Sequence, residues 1–335
     1  MNLTLTEEQA MMRDMVRRFL GDRFDAATMG KEPISRGDWL ALGELGLFAF
    51  LLPERAGGMG AGPVEIMLVS EDLGRSLAIT PLANSVLQCA ALVADHGTQA
   101  QIERWVEPVA CGAQVMAYAI GGTVCDGRLN GDAGLVCNGM NAAAFVVAAE
   151  NGVMVLVAAD GPGVIRSPVR LIDGNMAAAL RFEDAACDAI EIDPGLITAA
   201  GYMSELSIVA EMVGAMGALL DLTVEYVGQR KQFGAPIGSF QAIQHRCARL
   251  FVLLEQSRSM LLRAALAELD GRGEALRAAQ AYVATAALRL AEDAVHLHGG
   301  MGVTEELAVG RGLRRVLLLS RLSDRASRSG HKLAA

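Results

Sequence analysis

The apolar positions change period twice along the chain. Met12, Met15, Val16 and Phe19 recur at helical spacing behind Thr6 and Gln9, which have the spacing of a capping box, so a helix is predicted there. Pro63 suits the first position of another helix carrying Val64, Ile66, Met67 and Leu73, and Thr80-Pro81 sets a similar start before Val86, Leu87 and Val93. Gly97 ends that helix, and Thr98 with Gln101 opens the next by the same capping spacing. Helix signals continue to about residue 112.

Near Val115 the period becomes that of strands. Phe145 to Glu150 and Val153 to Ala158 are β-favouring runs separated by Asn151-Gly152, a strong signal for a tight hairpin, and Asn130-Gly131 and Asp173-Gly174 punctuate neighbouring strands in the same way. From Ile197 helical spacing returns: Ile208, Met212, Met216, Leu219 and Leu222 form one stripe of a helix reaching about Gly228. Further helices are predicted over about 239–269, 274–296 and 304–323, and long helices with short connections pack as an antiparallel bundle. The pattern therefore predicts a mainly α chain with a small β domain: an all-α domain over 1–113, a β-barrel-like middle domain over 114–195 and a C-terminal four-helix bundle over 196–335.

Composition narrows the function. With 52% hydrophobic and 20% charged residues, the 335-residue chain can bury a large core and is not a disordered one. A formal charge of -9 argues against nucleic acid as a partner, because that affinity rests on Lys and Arg neutralising phosphates. The start, MNLTLTEEQ, shows no export pattern, and the uncharged run Ser76 to Ala94 is interrupted by Pro81, Asn84 and Gln88, so no membrane span is expected. The six cysteines form no CxxC pair and read as reduced residues of a cytoplasmic protein.

The chemistry is concentrated in two segments. Arg230 to Ala248 reads RKQFGAPIGSFQAIQHRCA, placing a cation, side-chain amides and an aromatic ring in a Gly/Pro-broken loop before a long helix. Backbone donors and the positive end of the dipole at a helix start favour phosphate oxygens, and an Arg adds charge-assisted bonds, so the segment suits an anionic cofactor with an aromatic end. His298-Gly299-Gly300-Met301-Gly302 offers bare backbone for close approach of a flat ligand. His296 and His298 stand two apart on a helix and diverge, so no metal site is expected.

Taken with the order of helical domain, β domain and bundle, RKQFGAPIGSFQ resembles the acyl-CoA dehydrogenase family. LGELGLFAFLLPERAGGMGAGPVEIMLVSEDLGRSL at Leu42 to Leu77 and LHGGMGVT at Leu297 to Thr304 are also similar to family patterns. The resemblance implies FAD as cofactor, α,β-dehydrogenation of an acyl-CoA substrate and electron transfer to an electron-transferring flavoprotein. It also implies that Arg230 and Phe233 meet the FAD of a neighbouring subunit, with Gln232, Ile237, Gln241, His296, His298, Gly299 and Gly300 as further cofactor contacts. Many relatives have Gln at the position of His296; a neutral imidazole can likewise donate one hydrogen bond. A homodimer, a homotetramer or a heteromer with a paralogous subunit would supply that neighbour.

Two departures accompany the resemblance. Relatives usually carry a TExxxGSD stretch early in the β domain, where this chain has Ala119 to Asp126 with only Thr123 to offer a hydroxyl. The second concerns the base that removes the α-proton. Counting from the Gly-Gly pair to where most relatives place this Glu reaches Ser323, with Asp324 one step beyond. Counting back from Arg230 to where a smaller group places it reaches Ser204, with Glu205 next. Glu205 and Asp324 are the candidate catalytic bases. Alternatives on the same scaffold are a non-catalytic or half-site subunit of a heteromer, and a flavin monooxygenase or nitroalkane oxidase. Arg311 to Arg328 reads as a solvated helix face rather than a seat for CoA phosphates.

Overall fold

A computed structural model describes residues 5–25, 28–191 and 194–333, without the side chains of 194–199 and 324–333. The helices before the first strand are α1 (Glu7–Gly21), α2 (Arg36–Glu44), α3 (Leu47–Leu51), α4 (Pro63–Arg75), α5 (Ala91–His96), α6 (Gln99–Gln101) and α7 (Glu107–Ala110). Local chemistry accounts for their ends. Thr6 and Thr98 each make the full capping box, with Gln9 and Gln101 returning the bond, and Pro63 is the first residue of α4. Leu82–Ala90 winds with a wider turn and runs directly into α5, which stops at Gly97.

The strands are β1 (Met116–Ile120), β2 (Thr123–Cys125), β3 (Arg128–Cys137), β4 (Ala144–Ala148), β5 (Met154–Ala158), β6 (Val164–Arg170), β7 (Met176–Ala186) and β8 (Asp188–Ile190). They form two four-stranded sheets, ordered β1-β4-β5-β8 and β2-β3-β7-β6. Gly152, at φ 81°, turns the chain between antiparallel β4 and β5, and Gly174, at φ 91°, lies between β6 and β7, as the hairpin signals predict. Asn130-Gly131 behaves differently. It lies inside β3, where the pairing with β7 slips between Leu129 and Gly131, so the dipeptide makes a bulge rather than a turn. The inner faces share a core in which Phe145 meets Phe182 edge-on at 6.3 Å, with Leu129, Val147, Val155 and Leu180 buried around them. Asn84 Oδ1 and Ser85 Oγ accept from the β1 amides of Tyr118 and Met116, which fixes the edge of the first sheet.

Long helices follow: α8 (Pro194–Gln229), α9 (Gln241–Ala265), α10 (Arg272–His298) and α11 (Ala308–Leu333), with a minimal hairpin of β9 (Lys231–Gln232) and β10 (Ala235–Pro236) between α8 and α9. The stretch Ala200–Gln229 is long and apolar enough to cross a membrane, but 78% of its most apolar window is buried within the protein. Two compact units emerge. One comprises Met1–Pro33, Pro63–Ile79 and Glu205–Arg328; the other includes Ile34–Gly62 and Thr80–Ser204.

Within the first unit, α4 and α8 approach so closely that backbone touches backbone. A Cβ added to Gly74 would fall 2.1 Å from the Glu211 carbonyl oxygen, and one added to Gly214 would fall 1.9 Å from that of Glu71. Ser70 and Ser207 bridge the same crossing by a buried hydroxyl pair at 2.8 Å. Charged side chains radiate from it. Asp72 is buried and accepts from both Arg13 and Arg17 of α1, while Glu211 pairs with Arg315 of α11 through bonds of 3.1 and 2.5 Å. Arg311 is also buried and donates to the carbonyls of Met29, Glu305 and Glu306. The solvated face expected over Arg311 to Arg328 is thus incorrect at these two arginines, because their guanidinium groups are consumed in tying the bundle together.

The crossing yields a paired prediction. Gly214→Ala should destabilise the chain by about 3 kcal/mol, since the new methyl meets backbone that cannot rotate away. Gly201→Ala, also on α8 but with nothing within 4 Å of the added carbon, should stabilise it by about 1 kcal/mol through helix propensity. Urea unfolding of the two variants checks both signs.

Candidate functional site

The candidate cofactor loop begins where α8 ends. Lys231-Gln232 pairs antiparallel with Ala235-Pro236, and Phe233 and Gly234 form the two-residue turn with φ 54° and 82°. Positive φ at both central residues is the hairpin geometry that matches strand twist, but an aromatic residue rarely adopts it. The consequence is an outward ring: Phe233 is 93% exposed and meets Phe240 edge-on at 6.3 Å. The loop is closed at its base by Ile237 N–H donating to the Arg230 carbonyl at 2.8 Å. Arg230, Gln232 and Gln241 are exposed, and Ile237 is half-buried.

The helix that follows has an open N-terminus. Phe240 is its N-cap and provides no side-chain hydrogen bond, and there is no acidic residue in the first turn. The amides of Ile243 and Gln244 fold back onto the Phe240 carbonyl. The earliest N–H groups and the positive dipole end therefore remain available to an anion.

The second segment lies at the end of α10. Gly299 has φ 62° and ψ -143°, a conformation open essentially to glycine alone, and Cβ atoms built on Gly299 and Gly300 would meet nothing within 4 Å. Backbone is thus presented bare. The two histidines before it have opposite fates. His298 is buried, stacks on Tyr226 at 4.3 Å and donates from Nδ1 to the Ala294 carbonyl at 2.8 Å; burial lowers its pKa while that bond works in the other direction. His296 is exposed and lies 3.2 Å, through Nδ1, from the Arg246 guanidinium.

Of the base candidates, Glu205 sits half-buried on α8 and accepts a 2.9 Å bond from the Gln280 amide of α10. Burial pushes its carboxyl above the usual 4.5, opposed by the Gln280 bond and by the charge of Arg277. Asp324 falls on α11, and its side chain lies outside the described residues. Ser204 and Ser323, at the counted base positions, are both buried, and the Ser323 hydroxyl has no partner among the described residues. Thr123 is exposed on β2, paired with Asn130. No sequence motif assigns a role to Gln280 or Arg246. Gln280 had one available signal, a polar residue on a stripe otherwise made of Ala279, Val283, Ala284 and Ala287.

Comparison with known proteins gives the family. The family model described as the acyl-CoA dehydrogenase N-terminal domain matches residues 6–113, and that described as the C-terminal domain matches 197–322. The chain is 30% identical to the probable acyl-CoA dehydrogenase YngJ of Bacillus subtilis over 95% of both proteins. It is 31% identical to the acyl-CoA dehydrogenase IpdE2 of Mycobacterium tuberculosis, covering 91% of this chain and 89% of that protein. Among solved structures it superposes on a chain of the ChsE4–ChsE5 complex from Mycobacterium tuberculosis with TM-score 0.81 and 27% identity, covering 100% of this chain and 99% of that one. The chain belongs to the acyl-CoA dehydrogenase family. It is an oxidoreductase whose cofactor is FAD, and its exposed donors, open helix start and bare glycine backbone suit such a group.

The state of Glu205 can be read from stability. A carboxyl whose folded pKa is raised contributes stability that is complete below its unfolded value of 4.5 and is lost as pH rises through the folded value. Glu205→Gln lacks that loss. Urea unfolding at about pH 5 and about pH 8 should therefore show the stability difference moving in favour of Glu205→Gln as pH rises.

Proposed function

We propose that the chain catalyses α,β-dehydrogenation of an acyl-CoA thioester in the cytoplasm, with electrons leaving to an electron-transferring flavoprotein. The observation that carries this reading is Glu205, a half-buried carboxylate with a raised pKa, oriented by Gln280. A general base works best when its pKa is brought toward the working pH, and partial burial does this for a Glu. When bound, FAD supplies the acceptor for the β-hydride. Glu205 would take the α-proton of the thioester.

The geometry of α8 supports an assembly. Glu205 and Arg230 lie on one continuous helix and at its end, so at 1.5 Å per residue they are about 38 Å apart. That exceeds the reach of one dinucleotide, so the base and the loop of a single chain serve different cofactor molecules. Arg230, Gln232, Phe233, Ile237 and Gln241 therefore hold the FAD of a neighbouring subunit, with Arg230 and the α9 start on its diphosphate and Phe233 against its adenine. Gly299 and Gly300 offer backbone to the same cofactor, and buried His298 shapes that turn through Tyr226.

A second reading has its own support. Ser204 and Ser323 stand where relatives place a carboxylate, and the early β-domain motif is lacking. These features favour a half-site subunit that completes FAD and substrate sites with a paralogue, and the structural neighbour is itself from a ChsE4–ChsE5 complex. Visible spectra separate the readings: a protein that is yellow when purified alone fits the first, and one that gains flavin only on co-expression with a paralogous subunit fits the second.

Two variants test the assigned roles. Glu205→Gln should lower kcat by about 10²–10⁴-fold on a responsive acyl-CoA with a dye acceptor, and unchanged turnover removes Glu205 as the base. Phe233→Ala should change stability by less than about 0.5 kcal/mol, because the ring is exposed, while reducing the flavin retained through gel filtration.

A further inference from the structure

Arg246, early in α9, makes a three-membered contact with the end of α10. One terminal nitrogen of its guanidinium donates to Asp293 Oδ1 at 2.6 Å and lies 3.2 Å from His296 Nδ1. Asp293 precedes His296 by almost one turn on the same helix, so the carboxylate and the imidazole share the cation. A guanidinium has donors only, so Nδ1 is the unprotonated nitrogen in this contact. With Nδ1 accepting from the guanidinium, the N–H of the ring is at Nε2. His296 is itself exposed, only two residues before the buried His298 and the open Gly299-Gly300 backbone.

The chemistry of the position gives this contact a purpose. A Gln amide always offers a donor, whereas an imidazole offers one only from the nitrogen that holds the proton. Replacing an amide with a His therefore requires something to choose the tautomer. We infer that Arg246, clamped by Asp293, is a positioning residue that fixes His296 as an Nε2–H donor to an oxygen of the FAD diphosphate. The inference rests on the reading that His296 meets the cofactor. It adds a different statement, that the donor is selected by a neighbouring helix.

Flavin binding to the assembled apoprotein, followed by flavin fluorescence on titration with FAD, tests the arrangement as a cycle of variants. Arg246→Met should weaken FAD binding by about tenfold when His296 is present, the loss of one well-placed hydrogen bond. In the His296→Gln background the same change should leave binding within about twofold, because an amide needs no tautomer control. Asp293→Asn provides a milder release of the clamp and should follow the same pattern with a smaller loss, should Arg246→Met fold poorly. Equal weakening in both backgrounds overturns the inference, since Arg246 would then act directly or through packing, as does no weakening with His296 present. His296→Ala identifies a different failure: unchanged FAD affinity would mean that His296 does not meet the cofactor, and the reading beneath the inference would fall with it.

Discussion

The close crossing of α4 and α8 is the constraint on which the helical unit depends. With Gly74 and Gly214 each lying against the other helix's carbonyls, the two backbones are nearer than side chains normally allow. That proximity fixes the rotation of both helices about their axes. Three partners are then positioned from it: α1 through Asp72, α9 through the Glu71–Arg258 pair, and α11 through Glu211 and Arg315. Buried ion pairs such as Glu211–Arg315 contribute little net stability over an apolar substitute but are costly to break, so the main effect of that pair is to specify one packing among several. Glu205, less than two turns from Glu211 on α8, inherits its direction from the same crossing.

Much of the fold is written in local signals. Capping boxes at Thr6 and Thr98, Pro63 at a helix start, and the Asn151-Gly152 hairpin all act within a few residues, and each is found as the chemistry predicts. Where the sequence misleads, a distant partner decides. Asn130-Gly131 carries a turn signal but is held in a strand by β7, which accommodates the extra residue as a bulge. Arg311 and Arg315 look like solvated charges until the carbonyls and the carboxylate that receive them are known. Glycines 74 and 214 are equally silent, because the need for a missing Cβ arises from another helix's backbone.

The candidate site divides in the same way. The loop from Arg230 to Gln241 and the Gly299-Gly300 pair are contiguous in sequence, so their types and spacing are visible without coordinates. Gln280 against Glu205 and Arg246 against His296 join residues about fifty to seventy-five positions apart, and no local pattern announces them. Polarity on an apolar stripe was the available hint for the first. Nothing comparable marks the second.

On the roles proposed for Glu205 and Arg230, α8 is a rod with a proton acceptor near one end and a nucleotide grip at the other, and such a rod has a genetic consequence. In an assembly built on such rods, every reaction centre draws on two chains, and damage at the two ends of α8 falls on different centres. Two inactive alleles, one altered at each end, would when mixed recreate some centres in which both contributing parts are intact. In such an assembly the oligomer, rather than the single chain, would be the unit on which selection for activity acts.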